Sequence, residues 1–258
     1  MPVHALLGAT GSTGGAVLQY LLDEPLKDLE LRVCVRSKPK LLKSFPDLEK
    51  TTSSKCHIYE ANLDDTSSLQ RCLKGAEIIY DCIASNDSAK GIHTAQDAAN
   101  AVLDALRVLK KEQGAAFIKP VVLINRSVTL NEEAPQEWSK TIVHWTLYYC
   151  YDDIAKAVEL FRSGSVNETL LELICVDPPA LHAGTKRTGH KLQLTGTPFR
   201  SLNYPDLGAA FVEIAKRAEE FSGKGVMVGA AVPDQVEEHW DVLITYLLRG
   251  VRANLFGF

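Results

Sequence analysis

What the chain lacks already excludes several classes. No stretch of about 18 uncharged apolar residues occurs, so no transmembrane helix is expected. There is no long basic run, and the net charge over 258 residues is −4. Nucleic acid is therefore not an expected partner. None of the six cysteines (Cys34, Cys56, Cys72, Cys82, Cys150, Cys175) stands in a Cys-x-x-Cys pair. Metal binding and a disulfide framework are both disfavoured by that spacing. The first residues carry no charged region leading into a long apolar run, so no leader is expected. Internal repeats and low-complexity tracts are absent. The expectation is a metal-free cytoplasmic protein, off the membrane, as a monomer or homodimer.

The residues present are those of an ordinary globular chain, 46% hydrophobic and 23% charged. The most informative stretch is near the start. Val3, Ala5, Leu6 and Leu7 form an apolar strand that runs into Gly8-Ala9-Thr10-Gly11-Ser12-Thr13-Gly14 and then a helix. Strand, glycine turn and helix form the arrangement that cradles a dinucleotide pyrophosphate. Gly8 permits the tight turn, Gly11 lets a phosphate approach the backbone, and Gly14 lets the helix pack on the strand. Free N–H groups at the helix start favour the anion. The hydroxyls of Thr10, Ser12 and Thr13 are further candidate donors.

Strand-length apolar runs recur at Val3–Leu7, Leu31–Val35, Cys56–Tyr59, Glu77–Ile83, Pro120–Asn125, Leu170–Val176 and Gly225–Val228. Helical periods lie near Ala16–Leu22, Ser67–Leu73, Ala95–Lys111, Glu137–Tyr148, Asp152–Arg162 and Asp206–Phe221. The alternation predicts an α/β fold: a Rossmann-type, doubly wound parallel sheet with a small C-terminal substrate lobe, in one domain over 1–258. Substrate loops are expected mainly from 127–151 and 177–203. A closing helix, Gln235–Leu248 continued by Val251–Phe258, carries an apolar face (Leu243, Ile244, Leu247, Leu248, Val251, Leu255) expected to pack on the sheet or a second subunit.

The second strand ends in Val35-Arg36-Ser37-Lys38, with no acid between Leu31 and Phe45. An acid there would bond a ribose 2′-hydroxyl, whereas an Arg accommodates a 2′-phosphate. The expected cofactor is NADP(H), held also by Lys38. Asn62 and Leu63 follow the third strand as candidate adenine contacts. Cys82, Ile83 and Ala84 end the fourth strand, where small residues let the backbone run beside the cofactor.

Residues 8–14 resemble the fingerprint of atypical short-chain dehydrogenase/reductases. Usual members carry a Tyr-x-x-x-Lys pair, in which the Lys lowers the Tyr pKa for proton exchange. No tyrosine here stands four residues before a lysine; Tyr151 precedes Lys156 by five. On a helix that is ~100° out of register.

Asp152-Asp153, Lys156 and Val176-Asp177-Pro178-Pro179-Ala180-Leu181 look like the NmrA-like and biliverdin reductase B branch. That resemblance implies Pro178 beside the nicotinamide. Leu147-Tyr148-Tyr149, Tyr151-Asp152-Asp153, Val176–His182, Arg187–Leu192 and Tyr204–Ala210 resemble the averufin oxidase A family, fungal oxidoreductases of aromatic polyketide clusters. The resemblance spans nearly the whole chain. It implies NADPH-dependent reduction of an anthraquinone-like substrate to a hydroquinone, which a partner Baeyer–Villiger oxygenase then opens.

Candidate catalytic residues are Ser127 after the fifth strand, Tyr149 and Tyr151 near a helix start, and Lys156 as a ribose contact. His182 joins them, because with His190 it brackets a polar loop that can act as a lid. A non-catalytic dinucleotide sensor and a dehydratase or isomerase remain alternative readings of the same residues.

Overall fold

The computed structural model describes residues 1–48, 55–135, 138–236 and 240–256. The chain runs β1 (Val3–Leu7), α1 (Ser12–Asp23), β2 (Glu30–Val35), α2 (Lys38–Ser44), β3 (Lys55–Glu60), α3 (Thr66–Leu73), β4 (Ile78–Asp81) and α4 (Thr94–Gln113). There follow β5 (Val121–Asn125), α5 (Trp138–Thr146), α6 (Tyr148–Val166), β6 (Glu172–Asp177), β7 (Ala180–His182) and β8 (His190–Gln193). The last elements are β9 (Ser201–Asn203), α7 (Tyr204–Lys216), α8 (Ala218–Phe221), β10 (Gly225–Ala230) and α9 (Trp240–Phe256).

Eight strands form one sheet in the order β3-β2-β1-β4-β5-β6-β10-β8. All pair in parallel except β8, which runs antiparallel to β10 at the edge. The apolar strands are explained by their two covered faces. Leu6, Tyr80, Leu123 and Ile174 point into one core with α1 and α7. Leu7, Ile79, Val122 and Cys175 point into the other with α3, α4 and α6. The strand order reverses between β1 and β4, so a crevice opens there at the carboxyl edge, where such sheets bind ligands.

Helices α1 and α7 run side by side with their N-termini together. A Cβ on Gly208 would overlap the backbone of Ala16, so only glycine permits this approach. Asn203 caps α7, its Oδ1 accepting from the Asp206 amide at 2.8 Å.

Several expectations are corrected. Helix α2 and the short strands β7, β8 and β9 had no counterpart in the hydropathy pattern. The helix expected from Asp152 begins at Tyr148, and the one expected over Asp206–Phe221 breaks at Arg217. Among the described residues helix α9 packs on α5 rather than on the sheet, and the second-subunit alternative stays an expectation. Gly250 and Ala253 are buried and Gly250 abuts the Thr146 carbonyl of α5, while Ile244, Leu248 and Leu255 are exposed. The expected helix start at Glu137, the segment 237–239 and Phe258 lie outside the described residues, and nothing is described of the Leu243 side chain. Among the described residues, no helix is long and apolar enough to cross a membrane.

Candidate functional site

The glycine turn has the geometry of a phosphate cradle. Gly8 adopts φ +80°, and a Cβ on it would lie 2.7 Å from the Cys82 carbonyl oxygen. A Cβ on Gly14 would overlap the Gly8 carbonyl. Gly11 is the N-cap of α1 and supplies no side-chain cap, so the first-turn N–H groups of α1 face the crevice without a side-chain acceptor. These features fit a dinucleotide pyrophosphate. Cys82 and Ile83 lie against Gly8, and the Cys82 amide donates to the Leu7 carbonyl at 3.2 Å. Thr10 is half-buried and Ala84 exposed beside them.

Two of the three hydroxyls already face other polar groups. Thr13 points inward, its Oγ1 accepting from the Asn125 amide nitrogen at 3.4 Å. Ser12 lies beside the hydroxyl of Tyr204, with Asn86 also near it. Burial raises the Tyr204 phenol pKa, and these two neighbours oppose the rise.

At the far side of the crevice, Arg36 is exposed at the end of β2 and enters no ion pair among the described residues. Ser37 caps α2 by accepting from the Lys40 amide. The Lys38 amide donates to Glu60 Oε1 at 2.9 Å. Asn62 is exposed and Leu63 half-buried in the turn after β3.

The second cluster lies where β5 and β6 end. Ser127 Oγ and the Tyr151 hydroxyl are 3.3 Å apart. Ser127 Oγ also accepts from the Thr129 amide at 3.2 Å. Burial raises the Tyr151 phenol pKa, and hydrogen bonds with Ser127 and Thr129 oppose the rise. Tyr151 therefore stands as a neutral hydrogen-bond donor. Rings of His144 and Tyr148 flank this region, with His144 6.1 Å from the Tyr151 ring centroid.

Helix α6 is fixed by Asp153. Its buried carboxylate accepts from the Ala95 amide at 2.8 Å and from the Gln96 amide at 3.1 Å, capping α4, whose N-cap residue His93 makes no capping bond to the helix amides. That bond sets the rotation of α6: Tyr151 faces Ser127, and Lys156 faces outward.

Lys156 is 56% exposed and pairs with Asp152 at 2.7 Å. It lines an outer groove with Gln96, Asn100 and Ser163 and is not brought together with Ser127 and Tyr151. Tyr149 stacks edge-on against Tyr148, and its amide donates to Ser88 at 3.1 Å. It is not joined to Ser127.

His182 is 1% exposed inside the small β7–β9 sheet, opposite Asn203, so it does not border a free lid. The loop after it is tied down at its end. Asp206 accepts from the amides of Thr188 and Gly189 and from the Thr188 hydroxyl. Arg187 pairs with Glu24 and lies over Tyr20. Pro178 is buried after β6, its carbonyl accepting from the Val128 amide at 3.0 Å.

Sequence reasoning missed the buried ion pair beside Ser127. Arg126 donates through Nε and Nη2 to the two oxygens of Asp177, at 2.7 and 2.6 Å. The side chains are 9% and 0% exposed. Asn131 Nδ2 donates to Asp177 Oδ2 at 2.8 Å. Burial pushes the Asp177 carboxyl pKa up, and Arg126 and Asn131 pull it back. A signal was present: opposite charges stand at the ends of two apolar strands, directly before Ser127 and Pro178.

Comparisons with known proteins agree with this geometry. Residues 8–217 match the model of a family described as NAD(P)H-binding. Averufin oxidase A of Dothistroma septosporum (strain NZE10 / CBS 128990) is 41% identical across 98% of this chain and 92% of its own length. Averufin oxidase A of Aspergillus flavus is 38% identical across 99% of this chain and 91% of its own. Among solved structures, a short-chain dehydrogenase/reductase of Veillonella parvula in complex with NADP superposes with TM-score 0.66. It shares 16% identity, over 92% of this chain and 99% of that one, which shows the fold.

Proposed function

The chain belongs to the averufin oxidase A family of NAD(P)H-binding oxidoreductases, and from that membership we propose that it is an NADPH-dependent reductase of an anthraquinone-type aromatic polyketide. Its place is in fungal secondary metabolism, where the hydroquinone or dihydro product is prepared for oxidative ring opening by a Baeyer–Villiger-type oxygenase. The observation that carries the reading is the Ser127–Tyr151 pair at the carboxyl edge. Ser127 follows the strand whose last residue, Asn125, bonds the glycine turn through Thr13, and Tyr151 meets it from α6.

Gly8, Gly11 and Gly14, with the first amides of α1, hold the pyrophosphate. Arg36 binds the 2′-phosphate as a planar multi-donor cation, with Lys38 nearby. Asn62 and Leu63 border the adenine, and Cys82, Ile83 and Ala84 border the cofactor backbone. Bound NADPH supplies a hydride, so quinone, NADPH and one proton balance to hydroquinone and NADP⁺. Ser127 and Tyr151 meet the quinone oxygen with preorganised hydroxyl dipoles and stabilise its growing negative charge. His144 and Tyr148 give the neighbouring wall aromatic character suited to a planar ring. Segments 127–151 and 177–203 frame that wall.

The test is anaerobic. Protein, NADPH and emodin-like quinones are mixed while the nicotinamide absorbance band is followed, and product mass is read. Loss of the band with a gain of two hydrogens supports the reading. Tight NADPH binding without oxidation across a quinone panel overturns it in favour of a sensor. A product of unchanged hydrogen count points to an isomerase or dehydratase.

A further inference from the structure

The backbone at Ser127 is held in a conformation that few residues tolerate. Its φ is 144° and its ψ 141°. The other described non-glycine residues with positive φ, Asp28 at 57° and Thr169 at 51°, lie in the ordinary left-handed region. The Ser127 region is populated almost only by glycine, and persists elsewhere only when the surroundings over-determine it. Here they do. The Arg126 amide donates to the Val176 carbonyl at 2.8 Å, and the Val128 amide donates to the Pro178 carbonyl at 3.0 Å. Those two bonds pin both neighbours of Ser127 to the end of β6.

Side chains complete the restraint. One carboxylate, Asp177, collects both Arg126 donors and the Asn131 amide. All come from the six residues 126–131. Even the neighbouring strand is shaped around the pair. A Cβ on Gly225 of β10 would lie 2.6 Å from Asp177 Oδ2 and would overlap the Arg126 guanidinium. Asp177 is fully buried, and Arg126, 9% exposed, spends Nε and Nη2 on it, so the pair acts on chemistry through what it holds. What it holds is the hydroxyl facing Tyr151.

We propose that Arg126 and Asp177 are positioning residues: their buried ion pair, completed by Asn131, holds Ser127 in its strained conformation so that its hydroxyl meets Tyr151 and the substrate oxygen. The proposal rests on the reductase reading given above. It adds that Ser127 is useful only while the clamp is closed. A donor displaced by about 1 Å loses much of its effect, by up to roughly 100-fold.

The experiment is a kinetic cycle with a spectroscopic arm. Arg126→Gln is expected to lower kcat about 10- to 100-fold, with NADPH affinity unchanged within about twofold, and Arg126→Lys is expected to recover part of the loss. Adding Arg126→Gln to Ser127→Ala is expected to cause no further loss, because residues acting as one unit are not additive. Losses that multiply overturn the proposal. Gly225→Ala, which displaces the pair while leaving both charges, is the second variant should Arg126→Gln not fold, and it carries the same expectation. The spectroscopic arm uses ¹³Cζ-tyrosine-labelled protein, with the Tyr151 resonance assigned through Tyr151→Phe. Arg126→Gln (or Gly225→Ala) is expected to shift that resonance as Ser127→Ala does. An unmoved resonance overturns the clamp, even if the wild type reduces no quinone. Absence of quinone turnover with a shifted resonance overturns the reductase reading and leaves the clamp standing.

Discussion

Replacing Ser127 by glycine and by alanine separates backbone strain from hydroxyl chemistry. Both variants lose the Oγ contacts to Tyr151 and the Thr129 amide. They therefore lose the same hydrogen-bond energy, and the difference between them reports the backbone alone. At φ 144° and ψ 141° a side chain is strained, at a cost of about 1–3 kcal/mol. Glycine relieves that cost but adds unfolded-chain entropy of about 0.4–1 kcal/mol. Taking about 2 kcal/mol of relief against about 0.7 kcal/mol of entropy, Ser127→Gly comes out more stable than Ser127→Ala by about 1 kcal/mol. For a chain of this size that is about 3 °C in Tm. The assay is paired thermal unfolding under matched conditions. In the reductase assay both variants lose roughly 100-fold in kcat, because the hydroxyl is gone in each. An alanine variant as stable as the glycine variant refutes the strain. A glycine variant with full turnover refutes the role of the hydroxyl.

Three other outcomes follow from named residues. Arg36→Glu weakens NADPH binding by roughly 10- to 100-fold, the worth of a charge-assisted phosphate bond, and narrows the preference over NADH; calorimetric titration of both cofactors measures it. Asp81 is buried with one carboxyl oxygen unpaired, and burial raises its pKa from 3.8 to about 7. Between those values the folded state keeps a proton that the unfolded state has released, so stability falls as pH rises through the window. At about 1.4 kcal/mol per pH unit that loss is capped at roughly 4 kcal/mol, and Asp81→Asn should flatten the decline in denaturant melts between about pH 4 and pH 8; an unchanged slope counts against it. Lys156→Ala should change kcat less than about twofold and stability by less than about 0.5 kcal/mol, since its ammonium faces solvent beside Asp152; a large kcat loss would return Lys156 to the site.

The parts legible in the sequence were those with a local cause. Val3–Leu7 and the glycines at 8, 11 and 14 could be read because strand burial and close backbone approach each demand a residue type. The parallel sheet was legible because β1, β5 and β6 are apolar on both faces. The small sheet was not. Strands β7 and β9 have three residues each, too few for a period, and the segment around β7 follows two prolines. Helix α2 was hidden because only Leu41 of its seven residues is buried. Side-chain placement was not legible where rotation about a helix axis decides it. Tyr151 and Lys156 are close in sequence, and only the Asp153 bond to the start of α4 shows that one faces inward and the other outward. The Arg126–Asp177 pair depends on residues 51 apart, which become neighbours only through parallel pairing of β5 with β6.

The outward lysine and the half-buried tyrosine form one arrangement under the reductase reading. A lysine beside the phenol lowers its pKa, which serves an enzyme that must also remove a proton from an alcohol. Among the described residues no lysine reaches Tyr151, and burial moves its phenol the other way. Such a group is a poor base and a sound neutral donor. Reducing a simple ketone concentrates charge on one oxygen as a strongly basic alkoxide, and there an activated acid helps most. Reducing a quinone leaves a phenolate, whose charge spreads over the rings and whose acidity class is that of tyrosine itself. Between groups of matched acidity a preorganised hydrogen bond stabilises the growing charge with little need for complete proton transfer. Position then matters more than acidity. A buried ion pair that fixes Ser127, and a carboxylate that fixes the rotation of α6, are the devices such chemistry requires.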